Sequence, residues 1–133
     1  MERQKIQRLF TQLDKQPKHP FPKLRESLSA PATHGVYVIR DSSQTVLHVG
    51  RTYRGQNGLS QRLLNHLHAQ SSFVQVYLHG HGAALRDSYT FQYLEVADDR
   101  ERALLEHAAT AWHCPNHLGV GALRKKPKSE PTK

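Results

Sequence analysis

The 133-residue sequence has one cysteine, one methionine and one tryptophan, and its acidic residues are few. A lone Cys114 excludes an intramolecular disulfide and points to a reducing compartment. No apolar run approaches the ~18 residues that a membrane-crossing helix needs, so the chain is expected to leave membranes alone. The N-terminus, MERQKIQRLF, lacks the apolar core of a secretory signal, which makes the cytoplasm the expected location. His113-Cys114-x-x-His117 has no Cys-x-x-Cys partner and leaves a zinc site short of ligands. Neither a phosphate-cradling glycine loop nor a Ser-His-Asp or Cys-His nucleophile signature is present, and no internal repeat is visible.

What the chain does have is positive charge. Nineteen Lys and Arg against 11 Asp and Glu give a formal net charge of +8, with ten histidines besides. Such an excess favours a polyanionic partner. At 37% hydrophobic and 23% charged, the composition is that of one globular domain.

Residues 3–14 place Ile6, Leu9, Phe10 and Leu13 at helical spacing, and Pro17, Pro20 and Pro22 end that helix. A second short helix is expected over residues 23–29. Together residues 1–30 make an N-terminal helical arm. Gly35-Val36-Tyr37-Val38-Ile39 is a β-branched and aromatic run apolar on both faces, hence a central strand. Asp41 to Gln44 is turn chemistry, and Thr45 to Gly50 is the returning strand of a hairpin. A polar loop over residues 51–58 leads to a helix over about residues 59–69. Leu59, Leu63 and Leu67 form its stripe, with His66 and Arg62 on one edge, about 20° and 60° outside it. Both are expected at the rim of the core.

Residues 73–78 suit a strand by composition and a helix after Ser72 by spacing. His79 to Gly82 reads as a loop, and Tyr89 to Val96 alternates as a strand. Asp98 with Glu101 is a capping box opening a helix over residues 99–113, whose expected stripe is Leu104, Leu105, Ala108 and Trp112. Pro115 stops it. After Leu123 the chain is RKKPKSEPTK, without a hydrophobic residue, so residues 122–133 read as a disordered basic tail. The expected fold is α+β, a small three-stranded, mainly antiparallel sheet flanked by helices.

Chemistry-bearing residues recur at otherwise apolar places. Tyr37 stands in the first strand, His48 near the end of the second, and Arg62 and His66 one helical turn apart. Glu106 lies on the last helix, on a face with Ala103, Thr110 and His113. Phosphodiester hydrolysis asks for such a set: a base for water, a guanidinium for phosphoryl charge, and a carboxylate for a hard divalent ion such as magnesium. His48, with a reference pKa near ~6.5 against ~10 for tyrosine, is the easier base, and Tyr37 is the alternative that the sequence leaves open. Arg51, Arg54, Lys125, Lys126 and Lys128 are the candidate nucleic-acid backbone contacts, carrying little sequence information.

The pieces GVY (35–37), HVG (48–50), GLSQRLLNHL (58–67) and LLEHAATAWHCPNH (104–117) together resemble the GIY-YIG nuclease family over roughly residues 31–121. The resemblance implies a metal-dependent endonuclease on a three-stranded sheet flanked by helices. It implies that Tyr37 is the tyrosine of the first motif, Arg62 the helix arginine, His66 the histidine one turn later and Glu106 the metal-holding glutamate. Magnesium is the implied ion, with manganese as a substitute, and DNA is the expected partner. His48 stands where the family usually has a second tyrosine. The asparagine that the family carries after the final proline has no counterpart in register, Asn116 being offset and Leu118 taking its place. Other readings that keep the fold are a non-catalytic nucleic-acid-binding module and a subunit of a repair or restriction complex that is active only with a targeting protein partner.

Overall fold

The computed structural model describes residues 1–53 and 57–118. Its elements run α1 (Glu2–Asp14), β1 (His19–Pro20), β2 (Gly35–Arg40), β3 (Val46–Arg51), α2 (Leu59–Leu67), α3 (Ser72–Tyr77), a 3-10 turn (Gly82–Arg86), β4 (Thr90–Glu95) and α4 (Asp99–His113). The strands form one antiparallel sheet in the order β1-β4-β2-β3, so β2 is central as its two apolar faces require. The fold is α+β. No helix among the described residues is long and apolar enough to cross a membrane.

The sheet has four strands where three were expected. The extra one, His19–Pro20, pairs with β4 at the edge, the place where a residue without an amide hydrogen is tolerated. The His19 ring stacks on Tyr93 and tilts over Phe91. No helix covers residues 23–29. Arg25 takes a positive φ of 72°, and the Glu26 carboxylate accepts from the Lys23 amide, so the segment is a turn.

Each face of the sheet has its own core. Tyr37, Ile39, Leu47 and Phe91 meet Leu59, Leu63 and Leu67 of α2, Phe73 and Val74 of α3, and Leu85. Val36, Val38, Val46 and Val49 meet Leu13 of α1 and Leu105 and Ala109 of α4. A bulge opposite Ile39 and Arg40 leaves Leu47 as an extra residue of β3, so Leu47 and His48 both pack on the Tyr37 face. The α4 stripe differs from expectation. Arg102, Leu105 and Ala109 are its buried residues, while Trp112 is 74% exposed with its ring edge against Phe10. Asp98 caps the helix as its spacing predicts, accepting from the Glu101 amide.

Candidate active site

The site grows from the pairing of β2 with β3. Tyr37 lies opposite Gly50, and a Cβ on Gly50 would collide with the Tyr37 hydroxyl. Glycine there is what lets the phenol lie across the neighbouring strand. Ile39 lies opposite His48, which puts His48 on the same face as Tyr37, one step along the hairpin.

Helix α2 supplies the next two groups. Its first amides are satisfied by carbonyls of the preceding chain: Leu59 donates to Thr33 and Ser60 to Pro31. Gly58 is tight against the Ala32 carbonyl, where a side chain would clash. This docking fixes the rotation of α2, so that Arg62 and His66 both reach Tyr37. Arg62 donates through Nε to the Tyr37 oxygen at 3.2 Å, and among the described residues its terminal nitrogens make no hydrogen bond. His66 Nε2 is hydrogen-bonded to the Tyr37 hydroxyl at 2.6 Å, and His48 Nε2 lies 3.4 Å from it. Three side chains thus meet at the oxygen of a fourth.

His66 was expected at the rim of the core and is fully buried. Its burial is allowed because both ring nitrogens are satisfied, Nε2 by Tyr37 and Nδ1 by Ser71 Oγ at 2.7 Å. Ser71 also accepts from the Val74 amide as the N-cap of α3. His48 stacks on Phe73, with ring centroids 5.0 Å apart, and its Nδ1 is buried without a hydrogen-bond partner among the described residues. The chain after α4 closes over this histidine. His117 bridges back to it, donates its amide to the Leu47 carbonyl, and is hydrogen-bonded through Nε2 to Ser72 Oγ at 3.1 Å.

Burial sets the charge state. It pushes the Tyr37 phenol up to about 12, with the Arg62 charge opposing. It pulls His48 down to about 3, helped by His117 and Arg62, and holds His66 well below the ordinary histidine range. At neutral pH the centre is a phenol between two neutral imidazoles beside one fixed cation.

Glu106 belongs to the same region, since its charge bears on Tyr37 and the Arg62 charge bears on it. Ala103, Thr110 and His113, which share its helix face, give it no guanidinium. The fold brings one from β3: Arg51 Nη1 donates to Glu106 Oε1 at 2.9 Å, with both side chains about four-fifths buried. Burial raises the Glu106 carboxyl, and Arg51 is the first of the charges that oppose it. Arg51, expected on nucleic-acid backbone, is therefore engaged at Glu106 and also lies over the Tyr53 ring at 4.9 Å. Asn116 is turned to the Tyr77 hydroxyl. Arg54, Lys125, Lys126 and Lys128 lie outside the described residues.

One carboxylate oxygen engaged by Arg51, and another with no hydrogen bond among the described residues, fits a hard divalent ion held by a single protein ligand and water. Among the described residues there is no group of three or more His, Cys, Asp or Glu side chains able to hold a metal. Ser71 and His117 went unnoticed in the sequence as parts of the site. Ser71 had a signal, a cap residue just ahead of an apolar run five positions after His66; the side-chain role of His117 had none.

Comparisons with family models, curated proteins and solved structures found no significant match to this chain.

Proposed function

We propose that the chain is a divalent-metal-dependent endonuclease of the GIY-YIG type, hydrolysing phosphodiester bonds in nucleic acid, with DNA as the substrate to test first. The observation that carries this reading is the convergence of Tyr37, His48, Arg62 and His66 on one buried oxygen, with Glu106 in the same region. A phenol held by three nitrogen side chains is more than packing requires. The proton of the attacking water goes to His48, neutral at working pH, or to the Tyr37 oxygen. The terminal nitrogens of Arg62 meet the charge developing on the phosphoryl oxygens. Glu106 would hold magnesium, or manganese in its place, and Arg51 would move from Glu106 to the substrate backbone. When bound, the ion polarises the phosphodiester and offsets charge on the leaving oxygen.

The test is a panel of plasmid, linear duplex, single-stranded and branched DNA, together with RNA, incubated with magnesium, manganese or chelator. The reading expects cleavage of at least one nucleic acid that stops on chelation.

A second reading, a nucleic-acid-binding module or a subunit active only with a partner, draws on two facts. Glu106 is already neutralised by Arg51, and Tyr37 is fully buried. That reading expects binding that weakens steeply with salt, survives chelation, and yields no product.

A further inference from the structure

Ser71 sits outside the motifs that carry the family resemblance, yet its hydroxyl ends the hydrogen-bonded line that passes through the centre. We propose that Ser71 is a positioning residue: by donating to His66 Nδ1 it fixes which nitrogen of His66 carries the hydrogen, and so aims the Tyr37 hydroxyl at His48. The proposal rests on the nuclease reading for its catalytic consequence and on hydrogen-bond geometry alone for its structural one.

Ser71 Oγ accepts the Val74 amide at 3.3 Å, which uses one lone pair and leaves the hydroxyl hydrogen to place. Ser71 is buried, and an unmade hydrogen bond there costs about 1–3 kcal/mol. Among the described residues, the acceptor in reach is His66 Nδ1 at 2.7 Å. A neutral His66 whose Nδ1 accepts must carry its hydrogen on Nε2. That N–H lies 2.6 Å from the Tyr37 oxygen and donates to it.

The Tyr37 oxygen then receives two N–H groups, from His66 Nε2 and from Arg62 Nε. Its own hydrogen has one nitrogen left to face, His48 Nε2 at 3.4 Å. In the opposite arrangement, His66 carries its hydrogen on Nδ1, Tyr37 donates to His66, and the Ser71 hydrogen is stranded in the core. The first arrangement satisfies the Ser71, His66, Arg62 and Tyr37 hydrogens, and it puts the His48 hydrogen on Nδ1, on the side of the His117 backbone. It also gives the phenol the two donors that stabilise a transient phenolate and a proton path toward His48. In that reading the Tyr37 proton passes to His48 Nε2, and the lone pair this frees on the phenolate oxygen, whose other two are held by His66 and Arg62, takes the water proton and leaves hydroxide to attack phosphorus.

Ser71 also caps α3, so a loss of stability alone would say nothing about this role. Nitrogen-15 NMR of the imidazoles separates the two effects, because the protonated and unprotonated ring nitrogens resonate far apart. Wild type and Ser71→Thr, which keeps both the cap and the donor, should show His66 with its hydrogen on Nε2. Ser71→Ala should move it to Nδ1 or give a mixture, and should slow cleavage by about tenfold or more, with Ser71→Thr restoring the rate. Wild-type His66 protonated on Nδ1, or an unchanged ring in Ser71→Ala, overturns the proposal. The wild-type spectrum decides even if Ser71→Ala does not fold. Failure of the nuclease reading looks different: no wild-type cleavage, with the His66 ring still as proposed.

Discussion

On one face of the sheet Val36, Val38, Val46 and Val49 meet Leu13, Leu105 and Ala109; on the other, Tyr37 and His48 stand among leucines and phenylalanines with His66 facing them. Both faces bury polar groups, and the way these are satisfied differs. Gln92, a β4 residue, donates to the carbonyls of Asp14 and Gln16 at the end of α1. Arg102, on α4, donates to the carbonyls of Thr52, Val96 and Ala97 and pairs with Asp99. Apart from the Arg102–Asp99 pair and a bond from Arg40 Nε to Gln92 Oε1, these bonds tie side chain to main chain and fasten helices and loops to the sheet. Tyr37, His48, Arg62 and His66 bond instead to one another, with His48 Nδ1 left over among the described residues. Polar groups that hold a fold bond mostly to backbone. A side-chain cluster closed on itself is costly to bury, and its presence is an argument for chemistry.

The contrast can be broken from either side. The largest effect is expected from Leu105→Ala on the apolar face, which removes a fully buried side chain and should cost about 2–5 kcal/mol in urea unfolding. Cleavage by the protein that remains folded at low temperature should be unchanged. Gly50→Ala should cost less, about 1–3 kcal/mol, but the new Cβ displaces the Tyr37 hydroxyl, so cleavage should fall much further than stability. Equal losses of activity and stability in the two variants would erase the distinction between the faces.

A smaller and sharper effect is expected from pH. His48 and His66 both have folded-state pKa values below the ~6.5 of an unfolded chain. Below about 6.5 the unfolded chain takes up protons that the folded chain refuses. Stability should therefore fall with pH, by about 1.4 kcal/mol per pH unit for each such imidazole. For His48 the window closes at about 3, where the folded group titrates. Glu106, with its raised carboxyl, acts in the opposite direction above the ordinary carboxylate range. His48→Phe should lessen the slope by one proton in urea titrations between pH 4 and 6.5; an unchanged slope would mean that His48 is not buried neutral.

Much of this was legible in the sequence, and the residues say why. The β-branched run around Tyr37 and the Asp98 cap are local signals, and both elements formed. Tyr37, His48, Arg62, His66 and Glu106 could be picked out because each is polar where its neighbours are not, or sits at a spacing a known motif uses. The burial of His66 could not, since helical angle predicts a rim position and only Ser71 and Tyr37, from other elements, satisfy it inside. The Arg51–Glu106 pair joins residues 55 apart, beyond any local pattern. Nor could periodicity foresee that Arg102, not Trp112, would be the buried member of α4, because that depends on carbonyls gathered from the residues just after β3 and just after β4. A proline-rich segment gave no sign that two of its residues would join the sheet.

The most direct test of the account is single-turnover cleavage of the preferred nucleic acid by wild type, Glu106→Ala and Arg62→Ala, with magnesium varied at fixed salt. The account predicts magnesium-dependent cutting by wild type and a loss on the order of a hundredfold to a thousandfold in each variant, with melting temperatures close to wild type. Cutting that persists at wild-type rate in both variants would contradict it.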